Sequence, residues 1–142
     1  MILTRRYRFS ASHRLHSSRL SGEENQAVYG KCNNPYGHGH DYVLEVSLRG
    51  PADGASGVVA ALEDVDELVR RSVLGDFRNA NLNIQIPAFA GTGLSPTTEN
   101  VAVEVRRRLA DGWDRVFPDG RPRLHKIRLY ETRKNIIELA GD

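Results

Sequence analysis

Residues Asp41 to Arg49 read DYVLEVSLR, and this alternation constrains the fold more than any other stretch. Tyr42, Leu44, Val46 and Leu48 share one face. Asp41, Glu45, Ser47 and Arg49 occupy the other, with Val43 the exception. A period of two is the signature of a strand buried on one side only. Tyr7 and Phe9 alternate with Arg6, Arg8 and Ser10 in the same way. So does Arg123 to Tyr130, RLHKIRLY, where Ile127 and Leu129 oppose Lys126 and Arg128. Asn135 to Leu139 predicts a last short strand, paired as a hairpin across Thr132-Arg133-Lys134.

Between these strands the period changes. Gly50-Pro51-Ala52-Asp53-Gly54 carries turn chemistry. Val58 to Leu62 opens another apolar stretch that is a candidate strand. Asp64 predicts an N-cap for a helix over Val65 to Leu74, with Gly75 as its stop. Phe77 to Gly93, rich in Asn and Gly, reads as irregular. Pro96-Thr97-Thr98-Glu99-Asn100 predicts a second helix entrance, with a threonine cap and an acidic first turn. The resulting order, β-β-(β)-α-α-β-β, predicts an α+β fold in one domain over residues 1–142, an antiparallel sheet backed by helices. An open sheet of four strands leaves edges to be covered, and assembly of several copies is one way to cover them.

Composition narrows the function classes. A net charge of +2 and scattered arginines offer no basic stripe for nucleic acid. No apolar run is long enough for a membrane span or a signal-peptide core. One cysteine forms no internal disulfide, so the expectation is a soluble cytoplasmic protein.

The chemistry concentrates in Lys31 to Tyr42, KCNNPYGHGHDY. His38 and His40, one residue apart on an extended chain, point the same way and can reach one point. Gly37 and Gly39 remove side-chain bulk around them. His13, at the end of the first strand, is the candidate third ligand. Three neutral imidazoles with an open position is the catalytic zinc pattern. His16 and His125 lack such an arrangement and read as surface or structural residues. Cys32 is separated from His38 by five residues, Asn33 to Gly37. As a fourth ligand it would close the site and make the zinc structural; held off the metal it would be free for proton transfer or attack. A lone cysteine is also commonly a small buried hydrophobe. Spacing leaves these alternatives open.

Five segments, taken together, are specific: FSASHRL at Phe9 to Leu15, LSGEEN at Leu20 to Asn25, YGKCNNPYGHGHDY at Tyr29 to Tyr42, PTTENVAVEV at Pro96 to Val105, and LYETRKNIIEL at Leu129 to Leu139. In these segments the chain resembles the 6-pyruvoyl-tetrahydropterin synthase family, which includes the 6-carboxy-tetrahydropterin synthases, and the Cys32–His38 spacing looks like the pyruvoyl-forming branch. The resemblance implies a tunnelling fold, a four-stranded antiparallel sheet with two helices packed on one face, assembled as a homohexamer from two trimers. It implies Zn2+ on His13, His38 and His40, with Cys32 as the catalytic base beside it. It further implies that Glu131 anchors the pterin, with Thr97, Thr98 and Glu99 lining the pocket. The expected reaction converts 7,8-dihydroneopterin triphosphate to 6-pyruvoyl-tetrahydropterin with loss of triphosphate. The alternatives are a 6-carboxy or other side-chain-cleaved product, or a non-catalytic zinc- and pterin-binding oligomer.

One segment departs from the family. Its cysteine is assisted by an Asp-His pair in Asp-His-x-Asn-Leu-Asn, whereas this chain has Arg78-Asn79-Ala80-Asn81-Leu82-Asn83. Asn79 cannot titrate in place of the histidine. Arg78 is expected either to stabilise a Cys32 thiolate or to grip substrate phosphates.

Overall fold

The computed structural model describes residues 1–141. Its longest pairing joins β1 (Ile2–His13) to β2 (His38–Arg49) in an antiparallel register running from Ile2 opposite Arg49 to His13 opposite His38. The alternation places Tyr42, Leu44, Val46 and Leu48 on one face, all with no exposed surface. Each such side chain contributes about 1.5–3 kcal/mol by leaving water. Phe9 of β1 stacks on Tyr42 with ring centroids 5.1 Å apart. β4 (Arg123–Tyr130) pairs with β2 and adds Ile127 and Leu129 to the same buried face. β5 (Ile136–Ala140) closes the expected hairpin. Thr132 Oγ1 holds that turn by accepting from the amides of Lys134 and Asn135.

The sheet has five strands rather than four, and it is mixed rather than antiparallel, in the order β3-β1-β2-β4-β5. The added strand is β3 (Ala80–Asn81), a two-residue parallel partner of Ala11 and Ser12. It lies within the segment expected to be irregular. Asn79, with φ of 58°, turns the chain so that its amide donates to Ser10 O at 2.6 Å, and Asn is one of the few residues that adopts that conformation readily. α4 (Leu82–Gln85) follows. Asn83 ties it to the end of β1, accepting from Arg14 N at 2.7 Å and donating to Arg14 O at 2.8 Å.

The helices also number more than two. α1 (Gly22–Tyr29) was not expected. It begins with a capping box in which Ser21 and Glu24 satisfy each other's backbone amides. α2 (Leu62–Val69) starts at Leu62, so Val58 to Leu62 forms no strand and Asp64 falls inside the first turn rather than at the cap. Nor does Gly75 end it. A π turn over Arg70–Leu74 leads into α3 (Gly75–Phe77), keeping Val65, Leu68, Val69, Val73 and Phe77 in the core. A Cβ on Gly75 would lie 3.3 Å from Arg70 O, so the irregular turn favours glycine there. α5 (Thr98–Val116) is capped as expected by Thr97, whose hydroxyl accepts from Asn100 N. It packs Val101, Val105 and Leu109 against α2 and the sheet. The opposite face of the sheet carries Arg6, Arg8, Glu45 and Arg128.

A histidine cluster beside a thiol-lined cavity

His13 is the last residue of β1 and is 1% exposed. Its Nδ1 lies 3.0 Å from Pro96 O, with the Tyr42 hydroxyl 3.3 Å from the same nitrogen. The carbonyl accepts the Nδ1 proton, which leaves the Nε2 lone pair free, and that buried Nε2 has no hydrogen-bond partner. The register puts His38 directly opposite His13, and His40 opposite Ala11 on the same face. His38 Nε2 and His40 Nε2 stand 2.9 Å apart. An orphaned buried nitrogen facing two converging imidazoles fits a cation. Among the described residues, one ligand atom from each of His13, Cys32, His38 and His40 lies within 4.8 Å of all the others. Burial lowers the pKa of His13 and of His40, favouring the neutral ring that binds metal.

The loop that presents Cys32 is fastened to the residues just after His13. Leu15 N donates to Cys32 O at 2.7 Å, and Asn33 Nδ2 donates to Leu15 O at 2.7 Å. His16 Nδ1 lies 3.1 Å from Asn33 Nδ2, a structural role in keeping with its sequence reading. Gly37 acts differently from expectation. Its φ is 72°, and a Cβ there would sit 2.8 Å from His13 O. The missing side chain makes room for the His13 backbone, not for an ion. Gly39 has only ordinary contacts.

Cys32, Thr97, Thr98, Glu99 and Glu131 line one cavity of about 470 Å³, together with Leu15, Val28, Tyr29 and Asn135. Sequence reasoning missed the last four, although Leu15, Tyr29 and Asn135 lie inside the recognised segments. Glu131 is 9% exposed. Its Oε2 accepts from the Thr98 hydroxyl at 2.6 Å, and Asn135 Nδ2 bridges Thr98 Oγ1 and, more distantly, Glu131 Oε1. Glu131 Oε1 is 3.8 Å from His40 Nε2, so the cavity abuts the histidine cluster. Burial and the Glu131 charge raise the Cys32 pKa. Arg78 and Asn79 do not line this cavity. They border a groove with Arg8, Ser10 and Asp41, and Asn79 also lines a neighbouring one with His40.

The profile described as 6-pyruvoyl tetrahydropterin synthase matches residues 2–142. This chain belongs to that family. A 6-pyruvoyl tetrahydrobiopterin synthase of Poecilia reticulata is 44% identical over 140 residues, covering 99% of this chain and 90% of that protein. The solved structure of the Caenorhabditis elegans 6-pyruvoyl tetrahydropterin synthase superposes with a TM-score of 0.86 at 37% identity, covering 100% and 96% of the two chains. A 6-carboxy-5,6,7,8-tetrahydropterin synthase of Rickettsia typhi is more distant, at 25% identity over 149 residues and 96% and 97% coverage. Of these three relatives, the two named as 6-pyruvoyl synthases share more identity with the chain than the 6-carboxy enzyme does.

Proposed function

We propose that this chain is a zinc-dependent lyase that converts 7,8-dihydroneopterin triphosphate to 6-pyruvoyl-tetrahydropterin and releases triphosphate. The observation that carries this reading is a thiol and a buried carboxylate lining one cavity, with the thiol also within reach of three converging imidazoles beside it. A set of three imidazoles suits zinc, and His13, His38 and His40 would hold it. When bound, the cation supplies Lewis-acid polarisation of the substrate's side-chain hydroxyls and a positive charge opposing the two effects that raise the Cys32 pKa.

Glu131 orients the pterin. Thr98 takes one lone pair of Oε2 and Asn135 engages Oε1 only weakly, so both carboxylate oxygens keep capacity to accept paired N–H donors from the ring. Cys32 then moves protons as a general base and acid. The reaction is internally balanced. Hydrogen leaves the hydroxylated carbons, the N5=C6 bond of the ring takes up two hydrogens, and the C–O bond to triphosphate breaks by elimination. The enol so formed becomes a methyl ketone, and no external oxidant is needed. Thr97 and Glu99, at the α5 entrance, border the substrate.

The segment Arg78-Asn79 favours a second reading, a zinc- and pterin-binding oligomer without turnover, because it supplies no titrating partner for Cys32. The edges of the sheet, β3 and β5, support assembly of copies into a homohexamer. A cytoplasmic setting keeps the lone thiol reduced.

The test is to incubate zinc-loaded protein with 7,8-dihydroneopterin triphosphate and to identify products by chromatography and mass spectrometry. A pyruvoyl product with triphosphate, absent from Cys32→Ala, is expected. A 6-carboxy product would move the chain to the other branch. Pterin capture without turnover would favour the binding protein.

A further inference from the structure

Tyr42, Leu44, Val46 and Leu48 fill the buried face of β2 without exposed surface, and of these four only Tyr42 bears a polar side-chain atom. Its ring stacks on Phe9 with centroids 5.1 Å apart. It also lies across the rings of His40 and His13, at 5.8 and 6.5 Å and steep angles of 74° and 85°. A phenylalanine would make those ring contacts equally well. Packing therefore leaves the hydroxyl unexplained, and a buried hydroxyl costs folding free energy unless it is paired. Its one hydrogen bond among the described residues is to His13 Nδ1, at 3.3 Å. The same nitrogen meets Pro96 O at 3.0 Å. Pro96 is buried, and its carbonyl has no other partner among the described residues. A carbonyl only accepts, so this contact places the ring proton on Nδ1. Tyr42 Oη then accepts from the same N–H, as a phenol oxygen can. Two acceptors thus bracket one proton, Pro96 from the entrance to α5 and Tyr42 from β2. Together they fix the rotation of the ring as well as its tautomer, and Nε2, which has no partner, is left for the cluster. The register sets this up. Tyr42 stands two residues past His40 and opposite Phe9, so the strand that carries two of the histidines also steadies the third.

We propose that Tyr42 is a positioning residue for the histidine cluster: its hydroxyl, with Pro96 O, holds the His13 imidazole in the rotation and tautomer that present Nε2 to a cation. The effect on zinc rests on the three-histidine reading of the site; the hold on the His13 ring does not. Hydrogen-bond partners behind a ligating histidine commonly change metal affinity by roughly 10- to 100-fold.

Tyr42→Phe removes the hydroxyl and keeps the ring. Its zinc affinity, measured by competition with a chelator, is expected to fall roughly tenfold or more. A second readout needs no metal. In zinc-free protein with labelled histidines, NMR should show the His13 Nδ1 proton of Tyr42→Phe shifted and exchanging faster with solvent than in the wild type. Phe9→Leu is the contrast, because it strips the stacking partner and leaves the hydroxyl. It should lower the denaturant midpoint of the zinc-free protein while zinc affinity stays near the wild-type value. Weaker zinc binding together with a perturbed Nδ1 proton in Tyr42→Phe supports the proposal. A wild type that binds no zinc, with the Nδ1 proton still perturbed in Tyr42→Phe, would count against the zinc reading and leave the hold on His13 standing. Undiminished zinc affinity in Tyr42→Phe would overturn the proposal, and so would an unperturbed Nδ1 proton. An equal loss of zinc affinity in Phe9→Leu would also overturn it, by assigning the effect to packing.

Discussion

The three histidines do different work, and substitutions should separate them from Cys32 and Glu131. His13 has its Nδ1 fixed by Pro96 O and its Nε2 unpartnered, so His13→Ala should reduce bound zinc, measured by elemental analysis, from about one ion per chain to near none. Cys32→Ala should keep the metal. Glu131→Gln should also keep it, while weakening pterin capture by roughly 10- to 100-fold through loss of charge-assisted acceptors. The pH dependence follows from burial. His13 and His40 have lowered pKa values, so both stay neutral further into acid than a free imidazole. Zinc should therefore be retained as pH falls through about 6.5 and leave only below it, which a zinc-release titration reads directly. His38 and His40 were legible because His-x-His on a strand converges by geometry alone, whereas Cys32 and Glu131 were assigned roles only through the family resemblance. Asn135 was not legible, since its contact with Thr98 arises only when the β4–β5 turn meets the start of α5.

At the scale of elements, strands were easier to read than helices. A strand's alternation is visible residue by residue, whereas α1 buries only Asn25 and shows no apolar stripe. Its one sequence signal was the Ser21–Glu24 capping box. Gly75 misled for a different reason: the π turn before it keeps the apolar face inward and carries the helix on to Phe77. The segment Asn79 to Asn83 was recognisable as a motif but opaque as structure. Its asparagines act on the backbone, Asn79 by its positive φ and Asn83 by clamping both backbone groups of Arg14. Asn83→Ala should cost about 1–3 kcal/mol by leaving those groups unpaired, and should loosen the chain just after His13. Asn79→Ala should cost about 1 kcal/mol from the left-handed backbone. Denaturant unfolding measures both.

For the whole molecule, the two faces of one sheet differ in character. The buried face ends in the histidine cluster, where His40 Nε2 lies 3.8 Å from Glu131 Oε1, while the open face carries Arg6, Arg8 and Arg128, with Arg6 and Arg128 paired to Glu45. The edges at β3 and β5 stay open, and the proposed hexamer predicts a sedimentation mass six times that of the chain; a monomer would require another explanation for those edges. The expected four-stranded antiparallel sheet fell short because a two-residue parallel strand has no period to read. The central claim is that Cys32 works beside a three-histidine zinc rather than on it. X-ray absorption at the zinc edge tests it most directly. Nitrogen ligands at about 2.0 Å with no sulfur are predicted. A sulfur scatterer at about 2.3 Å would make Cys32 a ligand, close the site and contradict the account.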